Sequence, residues 1–177
     1  MSERSPAPGG LGLVETLVNT LDLETGADSL DTEEGRAPLG LTEDDVPAAR
    51  ELRESLRATL LAHAGHPPHR AVTPLGELLA AAPLVVAVDP ADGSAALAPA
   101  DGSAALAPAG EGSLTARVAA AVAQALVAGT WSRLKACEAA DCHWAYYDRS
   151  PAGRGRWCSM QVCGARAKMR RYRAKES

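Results

Sequence analysis

The sequence contains no phenylalanine, and its other aromatic residues are confined to one end of the chain. All three Trp and all three Tyr lie at or after position 131, so the first 130 residues hold no aromatic side chain except histidine. A core in that part must be built from Leu, Val and Ala, which gives a thin core. We therefore expect its elements to pack also on the C-terminal part or on a second subunit.

Two further absences bear on the location of the protein. No uninterrupted run of about 18 apolar residues exists, which argues against a membrane span. Residues 1–10 are polar and rich in Pro and Gly, so we expect them to be disordered and not a signal peptide. These features predict a cytoplasmic protein, associated with the nucleoid when bound to DNA, in which cysteines serve as metal ligands more readily than as disulfides.

The net charge of −4 conceals an asymmetry between the two parts of the chain. Up to Thr130 there are 7 Lys and Arg against 18 Asp and Glu, whereas from Trp131 onward there are 11 against 4. Such a division of charge indicates that the basic part binds a polyanion. It also leads to the hypothesis that the acidic part folds over the basic part and masks it when no nucleic acid is bound.

Apolar residues recur at helical spacing in four segments before position 130. Their positions are Leu13, Leu17 and Leu21 with Val14 and Val18, then Ala49, Leu52, Leu56 and Leu60, then Leu75, Leu78 and Leu79, and last Val118, Val122 and Leu126. Gly26, Gly65, Pro83 and Gly129 are the expected ends of these helices, and Ser113 is the expected N-cap of the last one.

A short apolar run at residues 84–88 predicts a strand, and an internal repeat follows it. Residues 92–100 and 101–109 have the same sequence, but two copies of nine residues are too few for a solenoid. We expect one copy to pair with the strand and the other to form extra loop.

Four cysteines form two pairs, each with four residues between its members and with fifteen residues between the pairs. Two such loops can turn Cys137, Cys142, Cys158 and Cys163 toward one zinc ion, which prefers a tetrahedron of thiolates. Unrelated structural thiols are the alternative, and a redox site is disfavoured because Cys-x-x-Cys is absent. Four ligands close the site, so we expect one structural Zn²⁺ and no catalysis.

The segment between the cysteine pairs, residues 143–157, is long enough for a β-hairpin with its turn at residues 150–153. The arms would carry aromatic rings that cover the metal, namely Trp144, Tyr146, Tyr147 and Trp157. His143 competes as a metal ligand, but its position directly after Cys142 favours a hairpin residue.

From Ser159 the sequence predicts a helix with Cys163 in its first turn and six cations among residues 166–175. We expect this helix to contact phosphates, and the alternative is a charged helix that is exposed to solvent and binds nothing. The candidate DNA-binding residues are Arg149, Arg154, Arg156, Arg166, Lys168, Arg170, Arg171 and Arg173. Arg166 and Lys168 are the better candidates for base contact because they follow the metal anchor most closely.

Other functions stay open at this point. Exposed aromatic rings beside the cations would favour RNA or another single strand, and a protein partner is a further alternative. An enzyme is disfavoured, because His63, His66 and His69 flank helix-breaking residues and are expected in a solvent loop. A homodimer and a small-molecule ligand of the N-terminal part are also open.

Residues 157–168, with the sequence WCSMQVCGARAK, resemble the signature of the CGNR zinc finger. Residues 129–137 and 147–150 also resemble its pattern, while residues 17–20 and 52–60 resemble the ABATE domain that accompanies this finger. The resemblance implies a bacterial, stress-induced transcription regulator with zinc on the four cysteines. Ala165 stands where the motif has Asn, so any contact made by that Asn is lost.

Together these patterns predict an α+β protein. Residues 11–128 are expected to form a mainly helical, ABATE-like domain with a small β-hairpin. Residues 129–177 are expected to form a four-cysteine zinc finger, in which a β-hairpin is followed by a basic helix.

Overall fold

The computed structural model describes residues 5–100 and 112–176, and within them the fold is α+β as predicted. The helices are α1 (Leu11–Val18), α2 (Glu33–Arg36), α3 (Val46–His63), α4 (Leu75–Leu79), α5 (Leu114–Val127) and α6 (Ala165–Glu176). The strands are β1 (Leu84–Val88), β2 (Ala95–Pro99), β3 (Leu134–Ala136) and β4 (Ala145–Tyr147).

Helix α1 packs against both α3 and α5, and the buried residues of these three helices form the main core. Every predicted inward residue of α3 is buried, and Pro47 lies in its first turn, where its missing N–H costs no hydrogen bond. At the start of α1, a Cβ on Gly10 would lie 2.8 Å from the Cβ of Ala121. Glycine therefore permits α1 to approach α5 closely.

The first helix is shorter than predicted, because it ends at Val18 and not near Gly26. Leu21 leaves the helix and forms an isolated antiparallel bridge with Asp28. Residues 5–10 of the N-terminal segment are described, and one of them contacts α1. Ala7 is buried, and its N–H donates to the Glu15 carboxylate at 2.6 Å; residues 1–4 lie outside the described residues.

The predicted strand and helix around the repeat are confirmed. Strand β1 pairs antiparallel with β2, which belongs to the first copy of the repeat, while the second copy lies outside the described residues. The Ser113 side chain accepts from the N–H of Ala116 and caps α5 as expected. Leu126 was expected to face inward, but its side chain is 59% exposed, because α5 turns that position away from the core near its end.

The second hairpin completes the thin core of the helical part. Strands β3 and β4 pair antiparallel, and β3 packs against α3. Leu134, Ala136 and Ala145 of this hairpin are buried in the same cluster as the leucines of α1 and α3. The expectation that the helices also pack on the C-terminal part is confirmed.

Helix α3 carries buried charges that the apolar pattern did not indicate. Arg53, Glu54 and Arg57 are each at most 4% exposed. Glu54 accepts from both arginines, and Arg53 also donates to Asp28 at 2.8 Å. Pairing within the cluster offsets the cost of removing these groups from water.

Across residues 5–100 and 112–176, the structure shows no helix with the length and apolar character required to cross a membrane.

Candidate metal centre and basic surface

The four cysteine sulfurs converge on one point of the structure. Cys137 directly follows β3, and Cys163 lies in a π-helical turn, Met160–Gly164, that leads into α6. All four sulfurs lie within 4.8 Å of one another, with 3.6 Å between Cys142 and Cys158 and 3.7 Å between Cys158 and Cys163.

These distances fit a zinc ion. Zinc–sulfur bonds of about 2.3 Å place the sulfurs of a regular tetrahedron about 3.8 Å apart, close to the separations observed. The four cysteines would hold one Zn²⁺ with no open position, which makes the site structural. When bound, the ion supplies the charge that keeps the four thiolates together.

The four thiols alter one another's ionisation through hydrogen bonds within the cluster. Hydrogen bonds from Cys142 and Cys158 lower the pKa of Cys137 to about 2. The hydrogen bond that Cys142 makes to Cys137 raises the pKa of Cys142 to about 12, and the pKa of Cys158 is raised in the same way. Without a metal, one thiolate is thus stabilised at the expense of its neighbours.

The finger hairpin lies elsewhere than predicted. Strands β3 and β4 flank the first cysteine pair, whereas the hairpin was expected within residues 143–157. The turn itself is present, since the N–H of Gly153 donates to the carbonyl of Ser150 at 3.0 Å. Its second arm does not pair as a strand with β4. Instead, the Arg156 carbonyl accepts from the N–H of Glu138 beside Cys137.

A buried ion pair holds the loop after β4. Lys135 and Asp148 are 5% and 3% exposed, and the Lys135 ammonium donates to the Asp148 carboxylate at 2.9 Å. Burial opposes ionisation of Asp148, but hydrogen bonds from Ser150, Lys135 and Gly155 hold its pKa well below the usual range. A Cβ on Gly155 would lie 2.9 Å from the Asp148 carboxyl carbon, so this packing requires glycine.

Direct hydrogen bonds join the helical part to the first cysteine loop. The Asn19 amide pairs with the backbone of Ala145 in both directions, at 3.0 and 2.7 Å. Arg57 donates to the carbonyl of His143, the residue after Cys142, at 3.0 Å. The Asn19 contact also explains why α1 ends early, because the side chain of this C-cap residue forms its hydrogen bonds with β4.

The three spaced histidines are not in a solvent loop, and that expectation was wrong. All three are half-buried, and Nδ1 of His63 lies 2.8 Å from the carbonyl of Leu134. Nε2 of His69 lies 2.9 Å from Glu54, and His66 contacts Glu138 at 3.5 Å. Burial lowers the pKa of His63 and of His69. These side chains link the helical part to the finger.

Replacing Asn19 with alanine is expected to lower the free energy of unfolding by about 1–3 kcal/mol, because the N–H and carbonyl of Ala145 lose their side-chain partner. Urea unfolding followed by circular dichroism measures the change. Thr16→Ala, at an exposed position of the same helix, is the matched control. Equal effects of the two variants would contradict the role assigned to Asn19.

The aromatic rings of the finger differ in exposure. Tyr146 is 2% exposed, so it belongs to the interior. Tyr147 and Trp157 are half-buried, and each has an arginine over its ring. Trp157 also packs against the cysteine cluster, as expected of a ring that covers the metal. Trp144 is half-buried, and its carbonyl accepts from the N–H of Cys137.

The candidate DNA-binding residues, and Lys175 near them in α6, differ in the contacts that they make. Three make contacts within the protein: Arg149 donates to the carbonyls of Ser5 and Pro6, Arg156 pairs with Glu138, and Arg166 pairs with Glu24 at 3.0 Å. Several exposed cations make no hydrogen bond or ion pair with any described residue, and these are Arg154, Lys168, Arg170, Arg171 and Lys175. Arg173 is also exposed on α6.

The buried residues of helix α6 lie near its beginning. Ser159 accepts from the N–H of Val162 and caps the turn that contains Cys163. Gly164 and Ala167 are buried, whereas Ala165 and nearly all later residues of α6 whose side chains are described are exposed. Ala165, which replaces the Asn of the motif, is the first residue of α6. The polar group that it lacks would have lain at the surface.

Comparison with known protein families identifies a zinc finger in the part of the chain that contains the four cysteines. The model of the CGNR zinc finger matches residues 133–176, which contain all four cysteines, the Lys135–Asp148 pair and α6. No curated protein matches the chain. The segment is therefore a zinc-binding module of this kind, and it includes a hairpin that is part of the main core.

Proposed function

We propose that the CGNR zinc finger of residues 133–176 binds DNA, and that the protein acts as a transcription regulator. The observation that carries this proposal is the row of exposed cations on α6 that have no partner among the described residues. A duplex offers the matching row of phosphates, and a helix can lie in or beside one of its grooves.

The metal has a positioning role in this proposal. Cys163 lies in the turn that ends where α6 begins, so four bonds to one ion would fix the direction of the helix. Lys168 follows this anchor by five residues and has no partner among the described residues, which supports it as a base-contacting candidate. Arg166 is already paired with Glu24, so binding DNA through Arg166 requires that pair to open.

The helical part of the chain also resembles a known domain. We propose that the helical part is an ABATE-like domain and that the regulator responds to stress. Its contacts with the finger through Asn19 and Arg57 support a role in setting the position of the finger. Burial of Tyr146 disfavours that ring as a stacking surface for RNA.

The direct test measures binding of the full, zinc-loaded chain to genomic DNA fragments over a range of salt concentrations. With about four or five phosphate contacts, we expect a slope of log affinity against log salt of about −4. Arg170→Gln, which removes an exposed cation expected to contact phosphate, should reduce that slope by about one, and the neighbouring Met169→Gln should leave it unchanged. Cys163→Ser should abolish selective binding. A lack of binding at low salt with one zinc per chain would overturn the proposal.

The pair between Glu24 and Arg166 makes a separate prediction about masking. Glu24→Gln should tighten DNA binding about 2- to 5-fold, since the weak, exposed ion pair no longer has to be broken on binding. Glu34→Gln removes the same charge at an exposed position of α2 and is the control. If both variants tighten binding equally, net charge alone is responsible and the contact does not mask Arg166.

A further inference from the structure

An open cleft of about 900 Å³ lies in the finger, between the loop after β4 and the turn that contains Cys163. Its walls combine flat rings with cations. The lining residues that matter here are Tyr147, Arg149, Arg154, Arg156, Trp157 and Met160. The cleft is separate from the exposed row of cations on α6, none of which lines it.

Two arginines in the cleft lie over aromatic rings. The guanidinium carbon of Arg149 is 5.1 Å from the centroid of Tyr147, and that of Arg156 is 5.4 Å from the centroid of Trp157. Both arginines are held by other residues of the protein, Arg149 by the backbone carbonyls of Ser5 and Pro6 and Arg156 by Glu138. The stacked surfaces are thus formed before any ligand arrives.

The cleft also has an excess of positive charge. Asp148 is the single carboxylate among its lining residues, and its charge is already matched by Lys135. Arg154 is exposed and has no partner among the described residues. One guanidinium is therefore available to a new anion, beside two flat surfaces that are already fixed.

We propose that this cleft binds a single unpaired nucleotide, with the base against the stacked arginine and ring surfaces and the phosphate on Arg154. Unpaired bases bind to aromatic rings and to arginine planes, and a nearby cation holds the adjoining phosphate. A base inside a duplex is stacked on both faces and does not offer this surface. The nucleotide comes from a locally unpaired DNA strand or from a free mononucleotide, and only the first source rests on the function proposed above.

The first arm of the test compares three duplexes by fluorescence anisotropy with the full, zinc-loaded protein. One carries a bulge of three thymidines, one carries an abasic bulge with the same phosphates, and one is perfectly paired. We expect the thymidine bulge to bind roughly 5- to 150-fold more tightly than the abasic bulge, the range for stacking of one base. Met160→Glu places a carboxylate at the mouth of the cleft and should remove this preference. Met169→Glu, the same change on α6, should weaken all three duplexes and retain it.

The second arm titrates the protein with thymidine monophosphate and with deoxyribose 5-phosphate, following tryptophan fluorescence. Preferential binding of the mononucleotide, weakened by Met160→Glu and by Arg154→Ala but not by Met169→Glu, identifies the free nucleotide as a ligand. The proposal is overturned if neither arm shows any preference for the base, or if the two methionine variants behave alike. Salt-dependent duplex binding without a base preference would leave DNA binding in place and remove only the cleft assignment.

Discussion

Removal of zinc is expected to lower the thermal stability of the whole chain, and not only to release helix α6. Structural zinc contributes roughly 10 kcal/mol or more of apparent binding free energy in isolated fingers. Here part of that free energy acts on the main core, because Cys137 directly follows β3 and is fully buried. Leu134 and Ala136 of the same strand are buried among the leucines of α1 and α3.

The measurement is thermal unfolding, followed by circular dichroism, of the zinc-loaded protein and of protein treated with a strong chelator. We expect a large drop in Tm that is reversed when zinc is added back. Cys137→Ser should reproduce most of the drop, and Cys163→Ser should perturb α6 first because its sulfur lies in the turn before that helix. An unchanged main transition after chelation would show that the finger and the core fold independently.

Breaking the Lys135–Asp148 pair is the second change with a large expected effect. Lys135→Met leaves a buried carboxylate without its cation and should lower the free energy of unfolding by about 3–5 kcal/mol. Arg166→Met, which breaks a pair that is exposed on both sides, is the matched control and should lower the free energy of unfolding far less. Urea unfolding of both variants checks this. Similar losses in the two variants would contradict the importance assigned to burial.

The same pair predicts how stability depends on pH. Because the folded-state pKa of Asp148 is lowered, its contribution is fully present above the unfolded-state pKa of about 3.9. The contribution is lost as the pH falls from there toward the folded-state pKa. Asp148→Asn should therefore flatten the decline of stability in acid. If the stability of this variant falls in acid as steeply as that of the wild type, other carboxylates are responsible for the acid sensitivity.

Local signals in the sequence predicted the elements that depend on neighbouring residues. Ser113 caps α5, Gly65 follows the end of α3, and the valine-rich run forms β1, because capping, backbone freedom and side-chain shape act within a few residues. The spacing of the cysteines also predicted the metal centre, since a tetrathiolate site requires two short loops that each supply two sulfurs.

The incorrect predictions concern places where parts of the chain that are distant in sequence are in contact. The apolar spacing continued through Leu21, but the Asn19 amide pairs with β4, which is more than a hundred residues away in sequence, and α1 ends there. The position of the finger hairpin was wrong for a similar reason. Strand β3 precedes the cysteines, and its burial against α3 selects it as the partner of β4. Helix breakers around His63 indicated a loop but not the contact with Leu134.

The buried charges of α3 were the feature most difficult to predict from the sequence. Arg57 looks like a surface residue of an amphipathic helix, yet it is fully buried and donates to Glu54 and to the carbonyls of Val18 and His143. Its partners come from three separate segments, so no local pattern distinguishes it. One detectable sign is the density of charged residues on a helix that must also bury its leucines.

Strand β3 belongs at once to the helical core and to the first zinc loop, and this shared position has a thermodynamic consequence. A molecule that binds the helical part and stabilises β3 in its zinc-binding position is expected to raise the affinity for zinc. Linkage then requires zinc to raise the affinity for that molecule by the same factor. The helical part and the metal site are therefore coupled in both directions, and a fragment that contains only residues 133–176 would lose that coupling together with its buried face.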